Sequence, residues 1–408
     1  MNVLKEEKEY SFLFWSLFLI EIGNRFAQVA SFALVFYLTG SGFALGILLS
    51  LQVLPTILIA PISGMLADRY HKIKLLYWST IIRSPFALLP LAAVLYDEVI
   101  WLYISTLLIA TGNAVYKPVR YASIPDLVGR KNLLNVNGME QNLVGYTLVI
   151  GSLMGGILAF WLETSVLFAI HTCCLLVSAL VLKPILHIKT DRQRPFAKDD
   201  FSFFHTLKWF TSIRALQVFF LIMLLMPLAN GIDNVIMNMI ALDEFERGEL
   251  GVGLMYAALG LGFVLSSKVT KWLRSYLSIG VMMIALEGIG HLLLSQSSFF
   301  FQALFLAISI TFVGGISNIC FDTVVMKILP PSKRGVLSGT LSMVQTSAIG
   351  LAMVAGGFLS ERFTAFQLSF VIGLVYIGFS LFFFVLVYGL DIKTSMRQLR
   401  GMEQSHKR

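Results

Sequence analysis

Along this chain apolar residues neither alternate with polar ones nor recur only at every third or fourth position. They run almost unbroken for some twenty residues at a time and then give way to short polar clusters. A helix crossing the hydrocarbon core of a bilayer needs roughly 20 such residues. The runs predict helices over 11–38, 42–63, 74–96, 99–119, 135–161, 165–184, 215–241, 249–267, 276–296, 299–327, 337–360 and 364–389. Spanning β-strands are shorter and alternate in character. The expected fold class is therefore an all-α membrane protein with twelve transmembrane helices, whose backbone polar groups are satisfied within each helix.

Composition agrees: 57% of the 408 residues are hydrophobic and 13% charged, with a mean hydropathy of +0.80. A soluble globule has nowhere to hide so much apolar side chain. Cys173, Cys174 and Cys320 lie inside apolar runs and match no disulfide framework or zinc-like spacing. The first apolar stretch is too long for a signal-peptide core and is expected to be retained.

The net charge of +8 is explained by where the charges fall. All 31 lysines and arginines except Arg25, Arg83, Arg247 and Arg362 lie at the termini or in every second loop. The other loops carry Asp97, Glu98, Glu163, Asp243, Glu244, Glu246, Glu249 and Glu361. By the positive-inside rule both termini are cytoplasmic and the number of spans is even. The basic excess is a topology signal, and no nucleic-acid partner is expected.

The long polar connection, 185–213, divides six helices from six. It predicts an N-terminal bundle over 1–184, a cytoplasmic linker, and a C-terminal bundle with its tail over 214–408. An internal repeat supports the division: Gly138 and Gly339 each precede a Gly-Gly pair by the same interval, and Leu45–Gly46 matches Leu250–Gly251 at a similar offset. Two pseudo-symmetric six-helix halves imply a binding site near the midplane between them.

The second loop reads Gly64-Met65-Leu66-Ala67-Asp68-Arg69-Tyr70-His71-Lys72-Ile73-Lys74. It resembles the loop motif of the major facilitator superfamily, at the expected place between helices 2 and 3. The stretches Tyr116-Lys117-Pro118-Val119-Arg120-Tyr121-Ala122-Ser123-Ile124-Pro125-Asp126 and Tyr37-Leu38-Thr39-Gly40-Ser41 are similar to the branch holding macrolide-efflux and siderophore-export proteins. Two features depart from the pattern. The glycine motif of helix 5 lacks its proline, and the second-half copy of the loop motif, Ser267 to Arg274, lacks its aspartate. The resemblance implies that Gly64, Asp68, Arg69 and Lys72 form a latch at the cytoplasmic gate; a purely topogenic basic loop is the alternative. The acidic partner is unassigned, because the end of helix 4 offers Lys117 and Arg120. Asp322 is expected to form an inner-gate ion pair, with substrate contact as the alternative, and Arg334 belongs to the same cytoplasmic gate.

Ionisable groups inside a span are costly and mark function by default. Glu21 and Arg25 share a helix face at i,i+4, with Asn24 and Gln28 beside them. The resemblance places helices 1, 4, 7 and 10 around the cavity, so these residues and Asn113 are candidates for substrate or proton binding. A static Glu21–Arg25 pair is the structural alternative. Helix 7 offers Asn230, Asp233, Asn234 and Asn238, with Pro227 and Gly231 as expected breakpoints. Asp233 is a candidate for substrate or proton binding, with a gate-side hydrogen bond to helix 1 as the structural alternative. Arg83, and Glu287 with His291, fall on helices that the resemblance makes peripheral and read as a buried pair or helix-packing hydrogen bonds. His291 is alternatively a proton relay or, as a lone histidine near the end of a span, interfacial, and His171 is read in the same way. Gly151, Gly155, Gly260 and Gly262 read as small-residue seams between helices.

The sequence carries no phosphate-binding loop, nucleophile elbow or metal-ligand cluster. The expectation is a protein that is not an enzyme, with no cofactor and no metal. The resemblance implies a monomeric secondary transporter of the plasma membrane, exporting lipophilic small molecules by proton antiport, as in multidrug resistance. Its partners are the small-molecule substrate, protons and the lipid bilayer. A lipid or lysolipid translocator on the same fold and a non-transporting receptor are the rivals.

Overall fold

The computed structural model describes residues 2–129, 132, 136, 139–140, 143, 145–188, 214–269, 276–328 and 334–388. Within these, the side chains of 2–3, 60–61, 64–65, 67–69, 215, 326–328 and 334–339 lie outside the description. The described residues contain helices and no strands.

After a short helix, Asn2–Glu6, come α1 (Lys8–Thr39), α2 (Gly42–Val53, continuing as Pro55–Arg69) and α3 (Lys72–Arg83, a 3-10 turn and Leu89–Tyr96). Then follow α4 (Ile100–Leu127), α5 (a π turn, Thr147–Gly151, leading into Ser152–Trp161) and α6 (Thr164–Leu182). The remainder are α7 (Arg214–Met239), α8 (Gly248–Val269), α9 (Tyr276–Leu294), α10 (Phe300–Ile328), α11 (Arg334–Ser360) and α12 (Ala365–Val387). Among the described residues ten helices are long and apolar enough to cross a membrane; α4 and the shorter described part of α5 complete the expected set.

Local sequence explains the boundaries. Gly40 adopts φ +59°, the left-handed conformation that glycine enters without Cβ strain, and its N–H caps α1 on the Phe36 carbonyl. Ser41 immediately starts α2 by accepting from the Ala44 N–H at 3.1 Å. Thr364 and Gln367 form a reciprocal capping box at the start of α12. That helix exposes Leu381, Phe382, Phe384 and Val385, an apolar face suited to lipid.

Two boundaries differ from expectation. Helix 4 does not end at 119 but runs two turns further, through Pro118 and Pro125. Arg120 is thus a helical rather than a loop residue, and it is buried. Nor does α7 break at Pro227 or Gly231. Gly231 serves packing instead: a Cβ there would stand 2.5 Å from the Ile349 carbonyl oxygen of α11.

Contacts divide the chain into one unit of Met1–Pro195 with Met237–Gly260 and a second of Phe196–Ile236 with Leu261–Arg408. In the first, Tyr10, Leu13, Ile73, Leu76, Tyr116 and Val119 belong to a fully buried core. Gly151 and Gly155 let α5 lie against Arg25 and Phe26 of α1. Gly156 meets Gly253 of α8 so closely that a Cβ on Gly253 would stand 2.6 Å from the Gly156 Cα. Gly260 packs on Leu148 and Val149. In the second unit, Gly262 packs against α10 at Ile308 and Thr311.

Candidate functional site

A cavity of about 190 Å³ opens inside the first unit. Helix α1 supplies Glu21, Asn24, Arg25 and Gln28, whose spacing puts them on one face. Gln52 comes from α2, Asn113 and Lys117 from α4, and His171 from α6.

Most of these side chains hold one another. Arg25 Nη1 donates to Gln28 Oε1 at 2.7 Å, and Gln28 Nε2 donates to Gln52 Oε1 at 3.4 Å. His171 Nε2 lies 3.2 Å from Asn24 Oδ1. The expectation that His171 is interfacial is corrected, since it is buried and lines the cavity. Asn113 accepts from Arg83 Nη1, while the Arg83 guanidinium sits 5.0 Å over the Tyr116 ring. Arg83 also donates to the Ser79 carbonyl and to Thr80. It is a packing group, as expected for a peripheral helix, and it fixes one wall of the cavity. Gly112 makes room for it: a Cβ there would stand 2.1 Å from Arg83 Cδ.

The static Glu21–Arg25 pair does not form, because the arginine turns to Gln28. Glu21 is 8% exposed and faces the cavity without a hydrogen bond among the described residues. Arg25 Nε is buried and also has no partner there. The cavity is thus lined by a carboxylate without a hydrogen bond among the described residues, an incompletely satisfied guanidinium and Lys117. Such a set can engage both charges of a zwitterion, or an anion through Arg25 and Lys117.

Charge pairs tie together the end of this unit that bears the basic loops. Lys72 donates to Asp126 Oδ2 at 2.8 Å and to the Ala122 carbonyl at 3.0 Å. The missing acidic partner of the loop motif is therefore Asp126, on the extra turns of α4. Arg120, far from opposing the motif, forms a two-pronged pair with Glu140, with the second prong at 2.7 Å, and Tyr10 donates to the same carboxylate. Glu7 accepts from Asn132 Nδ2 at 2.8 Å and from the Gly129 N–H at 3.2 Å. Glu140 escaped notice because it sits near the start of an apolar run, where a carboxylate reads as part of the polar boundary. The side chains of Gly64, Asp68, Arg69 and Arg334 lie outside the described residues.

In the second unit the polar residues of α7 diverge. Asn234 Nδ2 donates to the Asn230 carbonyl of its own helix at 2.7 Å. Asn230 Oδ1 accepts from Tyr376 of α12 at 2.6 Å and lines a cavity of about 320 Å³ together with Met226, Pro227, Asp322 and Gln345. Asp233 Oδ1 faces His291 Nε2 of α9 at 3.5 Å. His291 is fully buried, against the interfacial reading, and stacks on Tyr376 with centroids 5.4 Å apart.

Among the described residues, helices long and apolar enough to cross a membrane carry polar, charge-bearing cavities within each unit, the features expected of a membrane transport protein. The family profile described as Major Facilitator Superfamily matches residues 13–353, and the chain belongs to that superfamily of transporters. Its helices superpose on a bacterial homologue of the iron transporter ferroportin in an inward-facing state, with a TM-score of 0.74 at 15% identity, over 94% of this chain and 99% of that one. The nucleoside transporter NupG gives a TM-score of 0.74 at 14% identity over 96% of this chain and 100% of that one. At such identities the likeness is one of fold. In sequence, 139 residues are 28% identical to the lysophospholipid transporter LplT of Escherichia coli. The alignment covers 34% of this chain, and the chain spans about a third (33%) of that relative's length.

Proposed function

We propose that this chain is a secondary transporter for amphipathic molecules with a charged head group, of the lysophospholipid class. The observation that carries this reading is the cavity of the first unit, with Glu21, Arg25 and Lys117 among amide side chains. A pocket for a purely lipophilic drug is walled chiefly by aromatic and aliphatic groups. A lysophospholipid head offers a phosphate to Arg25 and Lys117, and its ammonium, where present, to Glu21. The partial similarity to LplT supports the same class.

A second reading, export of lipophilic compounds by proton antiport, is favoured by the contact of Asp233 with the buried His291. Under either reading the chain works as a monomer by alternating access of its halves, 1–184 and 214–408, in the plasma membrane. The termini and basic loops are then cytoplasmic, and the Gly64–Lys72 loop with Asp322 and Arg334 gates that side.

The test uses proteoliposomes loaded with a fluorescent lysophosphatidylethanolamine, and separately with a cationic dye, with and without a pH gradient. Lysolipid flux is expected, reduced about tenfold or more in Arg25→Gln. One lost charge-assisted hydrogen bond is worth about 1.5–3 kcal/mol, and about 1.4 kcal/mol is one decade. Dye flux without lysolipid flux refutes the proposal in favour of the second reading.

A further inference from the structure

We propose that Glu287, Asp233 and His291 form a buried proton store in the second unit, centred on α9 rather than on a cavity-lining helix. The inference extends the second reading above, but it does not depend on which substrate is carried.

Glu287 precedes His291 by one helical turn, so the two share a face of α9. Both are buried. Glu287 is pressed against Gly314 of α10, where a Cβ would stand 2.7 Å from Oε1. The glycine makes the space that the carboxyl group occupies. Asp233 Oδ1 and His291 Nε2 are each buried without a hydrogen-bond partner at ordinary length, and they face each other at 3.5 Å. The other side of the imidazole is held: Nδ1 lies 3.3 Å from Ser369 Oγ, and that hydroxyl donates to the His291 carbonyl at 3.0 Å.

Among the described residues no lysine or arginine forms an ion pair with this cluster. On α7, α9, α10, α11, α12 and the second-unit part of α8 the basic residues besides His291 are Arg214, Lys268, Lys327 and Arg334, at helix ends. The remaining titratable groups on those helices are Tyr376, beside the imidazole, Tyr276 at the start of α9, Cys320, and Asp322 in the cavity. With Glu287 and His291 buried and Asp233 only 15% exposed, the two carboxyl groups cannot both stand as anions here without a cation. Glu287 therefore carries a proton, and a second proton is held between Asp233 and His291. Losing either one leaves net negative charge in the apolar interior, which only entering water or a cationic ligand relieves.

The store has a route to the cavity of its own unit. Tyr376 stacks on His291 and donates to Asn230 Oδ1, and Asn230 lines that cavity. A ligand that takes the Asn230 amide frees the tyrosine hydroxyl and alters the imidazole's surroundings.

Infrared spectroscopy of the purified full chain in nanodiscs tests the proposal without any substrate. At neutral pH the wild type is expected to show a protonated-carboxyl C=O band that is lost in Glu287→Gln. A wild-type spectrum unchanged by that substitution overturns the proposal. Should the glutamine variant not fold, a Glu21→Gln chain labelled with ¹³C-glutamate answers the same question: an isotope-shifted carboxylic-acid band supports the store, and its absence overturns it. The band is read independently of flux, so a failed lysolipid assay and a missing band are separate results.

Discussion

Replacing Glu140 by leucine leaves Arg120 charged, 3% exposed and without its carboxylate, and takes the acceptor from Tyr10. Breaking a buried ion pair by removing one partner costs about 3–5 kcal/mol, chiefly because the other charge remains desolvated. The pair sits in a unit of roughly 220 residues, for which about 1 kcal/mol moves the melting temperature by about 2–4 °C. Glu140→Leu should therefore lower the apparent Tm in detergent by at least about 6 °C, read from intrinsic fluorescence on heating. Arg120→Met should do comparable harm by stranding Glu140. The double variant Arg120→Met/Glu140→Leu removes both charges and should recover most of the loss, because apolar replacement of a whole buried pair is close to neutral. A double variant as unstable as the two losses added together would refute the reasoning. So would a Glu140→Leu protein that melts within a degree of wild type.

Three further outcomes are expected. Gly253→Val forces a Cβ to within 2.6 Å of the Gly156 Cα, so overpacking of about 1–3 kcal/mol should lower Tm by several degrees; an unchanged Tm contradicts the close crossing of α5 and α8. Lys72→Met strands Asp126 and should slow transport several-fold, with the charge swap Lys72→Asp/Asp126→Lys restoring part of the rate; a swap no better than the single variant counts against a functional latch. In a chain with Cys173, Cys174 and Cys320 replaced by serine, a cysteine at Glu98 should react with an impermeant maleimide added to intact cells and one at Lys74 should not; the reverse pattern overturns the topology.

The spans were legible because a bilayer demands long apolar runs whatever the tertiary contacts. Helix caps such as Gly40–Ser41 are likewise local. What escaped the sequence was whatever depends on a distant partner. Pro118 and Arg120 resemble the end of a helix in isolation, yet Glu140 neutralises Arg120 within the unit and α4 continues. Pro227 and Gly231 resemble a hinge, yet Gly231 is a contact point for α11. Glu21 and Arg25 have the spacing of a pair, but Gln28 competes for the guanidinium from the next turn. His291 lies on a helix expected to be peripheral, and only the fold sets it against Asp233. The candidate list for the first unit nevertheless falls largely on one cavity, because polar side chains on one face of α1 have few other reasons to be there.

The central claim is that the charged cavity of the first unit receives the head group of the substrate. Photolabelling with a lysophospholipid whose head group carries a diazirine, followed by peptide mass spectrometry, tests it most directly. Adducts are expected on Glu21–Gln28 of α1 and around Asn113–Lys117 of α4, and Arg25→Gln should diminish them. Adducts confined to lipid-facing positions such as Trp15 and Trp78, unchanged by that substitution, would contradict the account.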